Sequence, residues 1–367
     1  MIAQGRAPAP AVGLVVMPGD GIGPEITAAT LRVLGEVDRL MRLGLVFDEV
    51  PVGLAALRQQ GTTLPDSSFA AAERADGVIL GPVSHNEYPP VSQGGLNPSG
   101  EMRRRLDLFA NIRPARSRQG FPPRCGRPVD LVIVRENTEG FYADRSMFFG
   151  PGELMPTPDL ALALRKVTRT GSIRIAETAF RVAARRRRKV TAVHKANVLR
   201  VSDGLFLDCV REVAARHPDV AYEERIIDAV AALLVRDASM FDVIVTTNMF
   251  GDILSDEASE IAGSLGLAAS LNAGTAHGLA QAQHGSAPDI AGRDLANPTS
   301  LIESAAMLLA WLEERGRGEK FAAASRRIMK AVDAAIAAPD HRTRDLGGPL
   351  GTKAFTAQVI ARLAEPE

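Results

Sequence analysis

Short apolar runs and amphipathic stretches alternate along almost the whole chain, and few folds accept that order. Val12-Gly-Leu-Val-Val-Met17, Leu45 to Val50, Gly77-Val-Ile-Leu80, Leu131-Val-Ile-Val134, Val190-Thr-Ala-Val193 and Phe241 to Thr246 predict buried strands. Helical periodicity runs from Pro24 to about Leu43, with Gly44 as a stop, and again over Ser67–Arg74 and near 171–188, 202–216 and 227–237. Strands without polar alternation suit a sheet covered on both faces. The order therefore predicts an α/β fold with a mostly parallel sheet. From about Thr299 to Leu363 the pattern is mostly helical. Pro/Gly-rich stretches at 82–100 and 150–158 are long enough to be functional loops or an arm.

At 367 residues the chain is comfortable for two domains. Lys+Arg 43 and Asp+Glu 43 balance, which argues against a nucleic-acid binder. The basic run Arg185-Arg-Arg-Arg-Lys189 ends a helical pattern and is read as a solvated helix terminus in preference to a phosphate patch. Cys125 and Cys209 make neither a disulfide framework nor a thiolate metal site, so a reducing cytoplasm is the expected location. Met1 to Pro10 has no apolar core of signal-peptide length and is expected to be a disordered tail. No apolar run approaches bilayer length.

Asn248-Met-Phe-Gly-Asp-Ile-Leu-Ser-Asp256 follows the last predicted strand, with Asn248 as the expected N-cap. On a helix, Asp252 and Asp256 stand at i and i+4 and share one face. They repel unless a cation sits between them, and Mg²⁺ or Mn²⁺ prefers such oxygen ligands. Taken alone, the pair fits two solvated surface carboxylates better. The first βα turn, Pro18-Gly-Asp-Gly-Ile-Gly-Pro24, lets backbone approach a ligand at a helix N-terminus, or is simply a tight turn. Its G-x-G-x-G spacing is a poor match to the Rossmann fingerprint.

Five further segments stand in order with that turn. They are Arg103-Arg-Arg-Leu-Asp-Leu-Phe-Ala-Asn-Ile-Arg-Pro114, Val134-Arg-Glu-Asn-Thr-Glu-Gly-Phe-Tyr142, Val193-His-Lys-Ala-Asn-Val-Leu199, Asn248 to Asp256, and His284-Gly-Ser-Ala-Pro-Asp-Ile-Ala-Gly292. Together they resemble the decarboxylating dehydrogenases of the isocitrate, isopropylmalate, homoisocitrate and tartrate/D-malate family. The resemblance implies a two-domain α/β fold with a shared, mostly parallel sheet, not the common Rossmann fold. It implies a large domain of about 1–108 with 264–367. The small domain would be about 109–263, with an arm near 144–170 that clasps a second subunit. It also implies a homodimer whose active sites are shared between subunits, and no nucleic-acid or membrane partner.

The implied reaction is oxidative decarboxylation of a 3-substituted malate with NAD and Mg²⁺ or Mn²⁺. By resemblance, Arg103, Arg113 and Arg135 hold the substrate carboxylates, a task suited to the forked guanidinium. Asp252 and Asp256 become metal ligands with Asp228 of the partner subunit. The partner's Lys195 matches the base at the C2 hydroxyl, and Tyr142 the acid at C3. Ile22, Asn197, His284, Gly285, Ser286, Ala287, Asp289 and Asn297 match cofactor positions. Asp289 would accept hydrogen bonds from the adenosine ribose and repel a 2′-phosphate, which favours NAD over NADP.

Substrate choice rests on Leu96-Asn-Pro-Ser-Gly-Glu-Met102. Ser99 and Gly100 stand where isopropylmalate enzymes place leucines, and Asn97 where one type of isocitrate enzyme places serine. Asn97 and Ser99 are the expected substrate contacts there. A small or polar C3 substituent fits best, as in D-malate or tartrate. Isocitrate, homoisocitrate and 3-isopropylmalate remain alternatives. Glu101 either repels a third carboxylate or pairs with a neighbouring cation. Gln281-Ala-Gln-His284 departs from the Glu-Pro-apolar-His of many relatives. A non-catalytic regulatory subunit and a metal-dependent phosphosugar enzyme are the competing classes.

Overall fold

The computed structural model describes residues 11–142 and 152–365. The strands are β1 (Val12–Met17), β2 (Leu45–Glu49), β3 (Gly77–Leu80), β4 (Ala110–Arg116), β5 (Asp130–Glu136), β6 (Glu153–Thr157), β7 (Leu160–Ala163), β8 (Lys189–His194), β9 (Ala221–Ile226), β10 (Val243–Thr246), β11 (Leu271–Ala273) and β12 (Gly278–Gln281). The helices are α1 (Gly23–Met41), α2 (Gly53–Gln60), α3 (Asp66–Arg74), α4 (Pro98–Arg105), α5 (Arg169–Ala184), α6 (Ser202–Ala214), α7 (Ile227–Asp237), α8 (Asn248–Ala262), α9 (Thr299–Leu312), α10 (Glu319–Ala337) and α11 (Thr352–Leu363). Among the described residues, all strands but β6 and β7 form one 10-stranded sheet, ordered β2-β1-β3-β12-β11-β4-β5-β10-β8-β9. Its pairings are parallel except β12–β11, β11–β4 and β4–β5.

Four apolar cores cover this sheet, two on each half. On the β1–β12 half, Ile26, Val33, Leu309, Ile328 and Phe355 join α1, α9, α10 and α11 in one core. Its second core contains Met17, Phe69, Leu80 and Met102. On the β4–β9 half, Phe180 of α5 and Phe206 of α6 pack in one core, and Leu234 of α7 and Leu254 of α8 in the other.

The seam between the halves is polar. Asn111, Asn272 and Asn137 are buried there. The Asn272 side-chain oxygen accepts from the Asn111 amide at 2.9 Å and the Asn137 amide at 3.0 Å. Beyond β4, Arg118 and Glu303 are each 2% exposed and ion-pair at 2.6 Å. Asp333 of α10 adds contacts to Arg118 at 2.6 Å and Arg116 at 2.7 Å.

The predicted strands recur with small changes at their ends. Helix α8 differs in its cap: Thr247 holds the N-cap position and Asn248 is already helical. The Asn248 side chain serves Arg135 instead. Helix α1 ends with Arg42 in the left-handed region, two residues before the expected Gly44 stop. The Asp38 carboxylate accepts from the Gly44 N–H at 2.7 Å. Strand β9 carries Glu223, Glu224 and Arg225 at the sheet edge, so polar charge hides it from an apolar pattern. Residues 1–10 and the part of the expected arm from 143 to 151 lie outside the described residues. The rest of that arm holds the exposed β6–β7 hairpin. Residues 185–189 are heavily ion-paired: Arg186 and Arg187 meet Asp130, and Arg185 meets Glu314. Among the described residues, no helix is long and apolar enough to cross a membrane.

Arg118→Ala leaves the Glu303 carboxylate buried without its main partner. It should lower stability by about 3–5 kcal/mol, read from urea unfolding by circular dichroism at fixed protein concentration. A double Arg118→Met, Glu303→Leu variant should regain most of that loss.

Candidate active-site cleft

Register on the central strands builds the floor of a cleft. β4 and β5 run antiparallel with Asn111 opposite Arg135 and Arg113 opposite Ile133. Alternation along each strand turns Asn111, Arg113 and Arg135 toward the same side, where α8 packs. Three buried cationic and polar groups on one face demand partners; α8 supplies those of the two arginines, and Ser270 and Asn272 accept from Asn111. Arg113 donates to Ser255 at 2.7 Å and to Asp252 at 3.1 Å, and its Nε donates to Asn111. Arg135 donates to the Asn248 side chain at 3.0 and 2.6 Å and pairs with Asp252. Burial alone would raise the Asp252 carboxyl, but Arg135, Arg113 and Arg103 hold it below the ordinary carboxylate value. Burial, with Arg135 alongside, pushes Arg113 down to about 10, so it stays charged at neutral pH.

The loop after β5 aims Tyr142 into this floor. Glu136 accepts from the Thr138 and Glu139 N–H groups at 2.7 and 2.8 Å. Glu139 accepts from the Thr168 N–H at 2.9 Å. The Asn137 amide donates to the Leu108 carbonyl at 2.8 Å. Burial raises the Glu136 carboxyl above its ordinary value. The Tyr142 hydroxyl ends 3.3 Å from Asp252.

The opposite wall comes from the N-terminus of α4 and the strand-end after β12. Asn97 caps α4 by accepting from the Gly100 N–H at 3.2 Å. Ser99 donates to Gln281 at 2.9 Å, and Gln283 donates to Asp256 at 2.6 Å. Glu101 pairs with Arg104 at 2.7 Å. The resulting cleft, about 410 Å³, is lined by Asn97, Ser99, Arg103, Arg113, Arg135, Tyr142, Asp252, Asp256, Gln281, Gln283, His284 and Gly285, with His85 beside them.

Of the residues expected around the cofactor, Ile22 and Ser286 meet at the first βα turn. Ile22 N–H donates to the Ser286 carbonyl at 2.8 Å, and the Ser286 and Ser84 hydroxyls lie 2.7 Å apart. Gly21 has φ +58°, and a Cβ there would stand 2.0 Å from the Ser286 oxygen. The turn's glycine thus admits another chain segment, not only a ligand. Burial lowers the His284 imidazole below its ordinary value. Ala287 is left-handed at φ 38°. Asp289 is exposed. Asn297 donates to Asp345 at 2.9 Å and accepts from the Thr299 N–H at 3.0 Å, so it also anchors the start of α9.

Lys195, Asn197 and Asp228 do not line the cleft. They stand at the ends of β8 and β9, where Lys195 ion-pairs with Asp228 and the Asp228 side chain is 67% exposed. Exposed apolar Val198, Val201, Val235 and Ile253 lie on the same elements or on α8. Among the described residues, no group of three His, Cys, Asp or Glu is placed to hold a metal ion. Asp252 and Asp256 nonetheless offer hard oxygens beside a tyrosine, a partial donor set that suits Mg²⁺ or Mn²⁺ once a further ligand joins.

Sequence reading misses Asn111, Asn248 and Ser255, whose work is to hold the arginines, and Asp20. Asp20 accepts from Leu54 N–H at 2.7 Å, Ser84 N–H at 3.0 Å and the Tyr88 hydroxyl at 2.5 Å. Burial, then the bond to Asp20, raises the Tyr88 phenol well above its ordinary value. All four lie inside the segments quoted from the sequence, but nothing in the spacing sets them apart from their neighbours as supporting groups.

Residues 13–362 match the isocitrate/isopropylmalate dehydrogenase family. The chain belongs to that family. It is 42% identical over 353 residues to an isocitrate/homoisocitrate dehydrogenase of Thermus thermophilus, covering 95% of this chain and 98% of that one. It is 39% identical over 350 residues to a 3-isopropylmalate dehydrogenase of Sulfurisphaera tokodaii, covering 95% and 98%. A crystal structure of isocitrate dehydrogenase from Methylococcus capsulatus superposes with a TM-score of 0.85 at 39% identity, covering 96% and 100%. As a member, the chain is an NAD-dependent decarboxylating dehydrogenase of a 2-hydroxy acid, with Mg²⁺ or Mn²⁺ as its metal.

Gly21→Ala forces the Ser286 backbone away from the turn. It should raise the KM for NAD by at least about tenfold, with a smaller change in kcat, in steady-state assays.

Proposed function

We propose that this dehydrogenase acts on a 3-substituted malate whose C3 group is small or polar, with D-malate and tartrate as the pattern. The observation that supports this is the α4 wall: Asn97, Ser99 and Gly100 face the cleft with Gln281, and no leucine stands among them. Transfer of an isopropyl group onto such a wall recovers little apolar burial. Isocitrate and homoisocitrate form the second reading. The same amide and hydroxyl groups, with His85 beside them, could hydrogen-bond a further carboxylate.

In this reading Arg103, Arg113 and Arg135 fork onto the substrate carboxylates and fix the C2–C3 bond in the cleft. Tyr142 delivers a proton to C3 after the carboxylate leaves. The partner subunit's Lys195 takes the proton from the C2 hydroxyl. Asp252 and Asp256, with Asp228 of the partner subunit, hold the divalent ion. The dinucleotide held by this side of the cleft would supply the hydride acceptor for C2, and the divalent ion held by the aspartates would supply Lewis-acid stabilisation of negative charge. Ile22, Asn197, His284, Gly285, Ser286, Ala287, Asp289 and Asn297 surround the dinucleotide. The exposed Lys195–Asp228 pair and its apolar neighbours support a dimer, because a cation and a carboxylate outside the cleft gain a task only against a second copy. The two pairs of apolar cores support domains of about 1–108 with 264–367, and 109–263.

NADH formation from D-malate, L-tartrate, isocitrate, homoisocitrate and 3-isopropylmalate, at saturating Mn²⁺ and NAD, tests the substrate. D-malate or tartrate should show the highest kcat/KM, and EDTA should abolish turnover. A preference for 3-isopropylmalate would sink the polar-wall argument. No turnover with any diacid would point to a regulatory subunit.

Lys195→Ala and Asp252→Asn homodimers should each be inactive. Refolded together at equal amounts, they should recover about one quarter of wild-type activity, since half the dimers are mixed and hold one intact site. No recovery would place all these residues in one chain's site.

A further inference from the structure

Gln283 lines the cleft and has no role in the proposed reaction. Its backbone N–H donates to the Ser300 hydroxyl at 3.3 Å, which fixes where the side chain begins. Its Nε2 donates to the Asp256 carboxylate at 2.6 Å. Its Oε1 is buried and has no hydrogen-bond partner. A buried amide oxygen left bare costs about 1–3 kcal/mol, so the arrangement is unsatisfied as it stands. The orphan is an oxygen acceptor attached to the same side chain that touches Asp256, and both line the same cleft. Rotation of the terminal amide exchanges its oxygen and nitrogen with almost no change in shape. In one orientation the amide N–H₂ compensates the aspartate. In the other, a carbonyl oxygen stands beside that aspartate.

Hard divalent ions take side-chain amide oxygens along with carboxylates. We infer that Gln283 is an additional ligand of the divalent metal, supplied by the same chain as Asp252 and Asp256. Its oxygen turns toward the ion when the ion binds, and its nitrogen donates to Asp256 when the ion is absent. This gives one chain three oxygen-bearing side chains at the site in place of two. A neutral ligand suits the position, because it adds an oxygen without a further negative charge beside the substrate carboxylates. The inference rests on the assignment of Asp252 and Asp256 to the metal, and the test separates the two.

Mn²⁺ binding to the full-length protein, without substrate or NAD, is measured by the electron paramagnetic resonance signal of free Mn²⁺. Gln283→Leu, which keeps the bulk and removes both polar atoms, should weaken Mn²⁺ by about tenfold or more. Gln283→Glu, which keeps an oxygen in reach, should bind Mn²⁺ at least as tightly as the wild type. Thermal unfolding midpoints in EDTA should match across the three proteins, showing that the fold is intact. Gln283→Leu within twofold of wild type would overturn the inference, as would Gln283→Glu binding as weakly as Gln283→Leu. If Asp252→Asn loses Mn²⁺ while Gln283→Leu does not, the aspartate site stands and only the Gln283 ligand falls. If neither the wild type nor any variant binds Mn²⁺, both fail.

Discussion

Everything in the cleft depends on two guanidinium groups held on one face of a sheet. Arg113 and Arg135 are buried on adjacent strands, and unbalanced they would repel each other in a poorly solvated place. Asp252 resolves this by pairing with both from α8, while Asn111, Asn248 and Ser255 take the remaining donors. Asp252 alone does not balance two guanidinium groups, and Asp256 adds a second carboxylate 3.6 Å from Arg113. These ion pairs hold the side chains in place on the floor of the cleft.

Much of the framework is legible in the sequence because buried parallel strands are uniformly apolar. Val12–Met17 and Gly77–Leu80 need no help from context. Strand β9 is not legible, since at the sheet edge Glu223, Glu224 and Arg225 find charged partners and need no apolar pattern. The three residues of β11 are too few for any periodicity, and they are strand only because β4 and β12 flank them. The end of α1 falls three residues short of the glycine that should mark it, because Arg42 itself takes the left-handed conformation.

The site divides in a similar way. Arg103, Tyr142 and Asp256, expected from motifs to be site residues, are gathered by the fold in one cleft. Groups that hold those groups, such as Asn111 or Asp20, are ordinary polar residues in sequence. Their importance comes from burial, which pattern does not reveal. Lys195 and Asp228 show the opposite case. Their motif is plain, but the fold leaves them paired with each other outside the cleft.

The buried asparagines at the sheet's midline have a mechanical meaning. From Arg113 through Asn111, Asn272 and Asn137 to the Leu108 carbonyl, the chain of contacts is side-chain hydrogen bonds instead of interlocked methyl groups. Apolar packing resists shear because separating it exposes oily surface to water. Hydrogen bonds tolerate small changes of angle at little cost and return to register afterwards. The line between the two halves is therefore mixed: side-chain hydrogen bonds run along it to Arg113, while Ile112 packs against a core of each half.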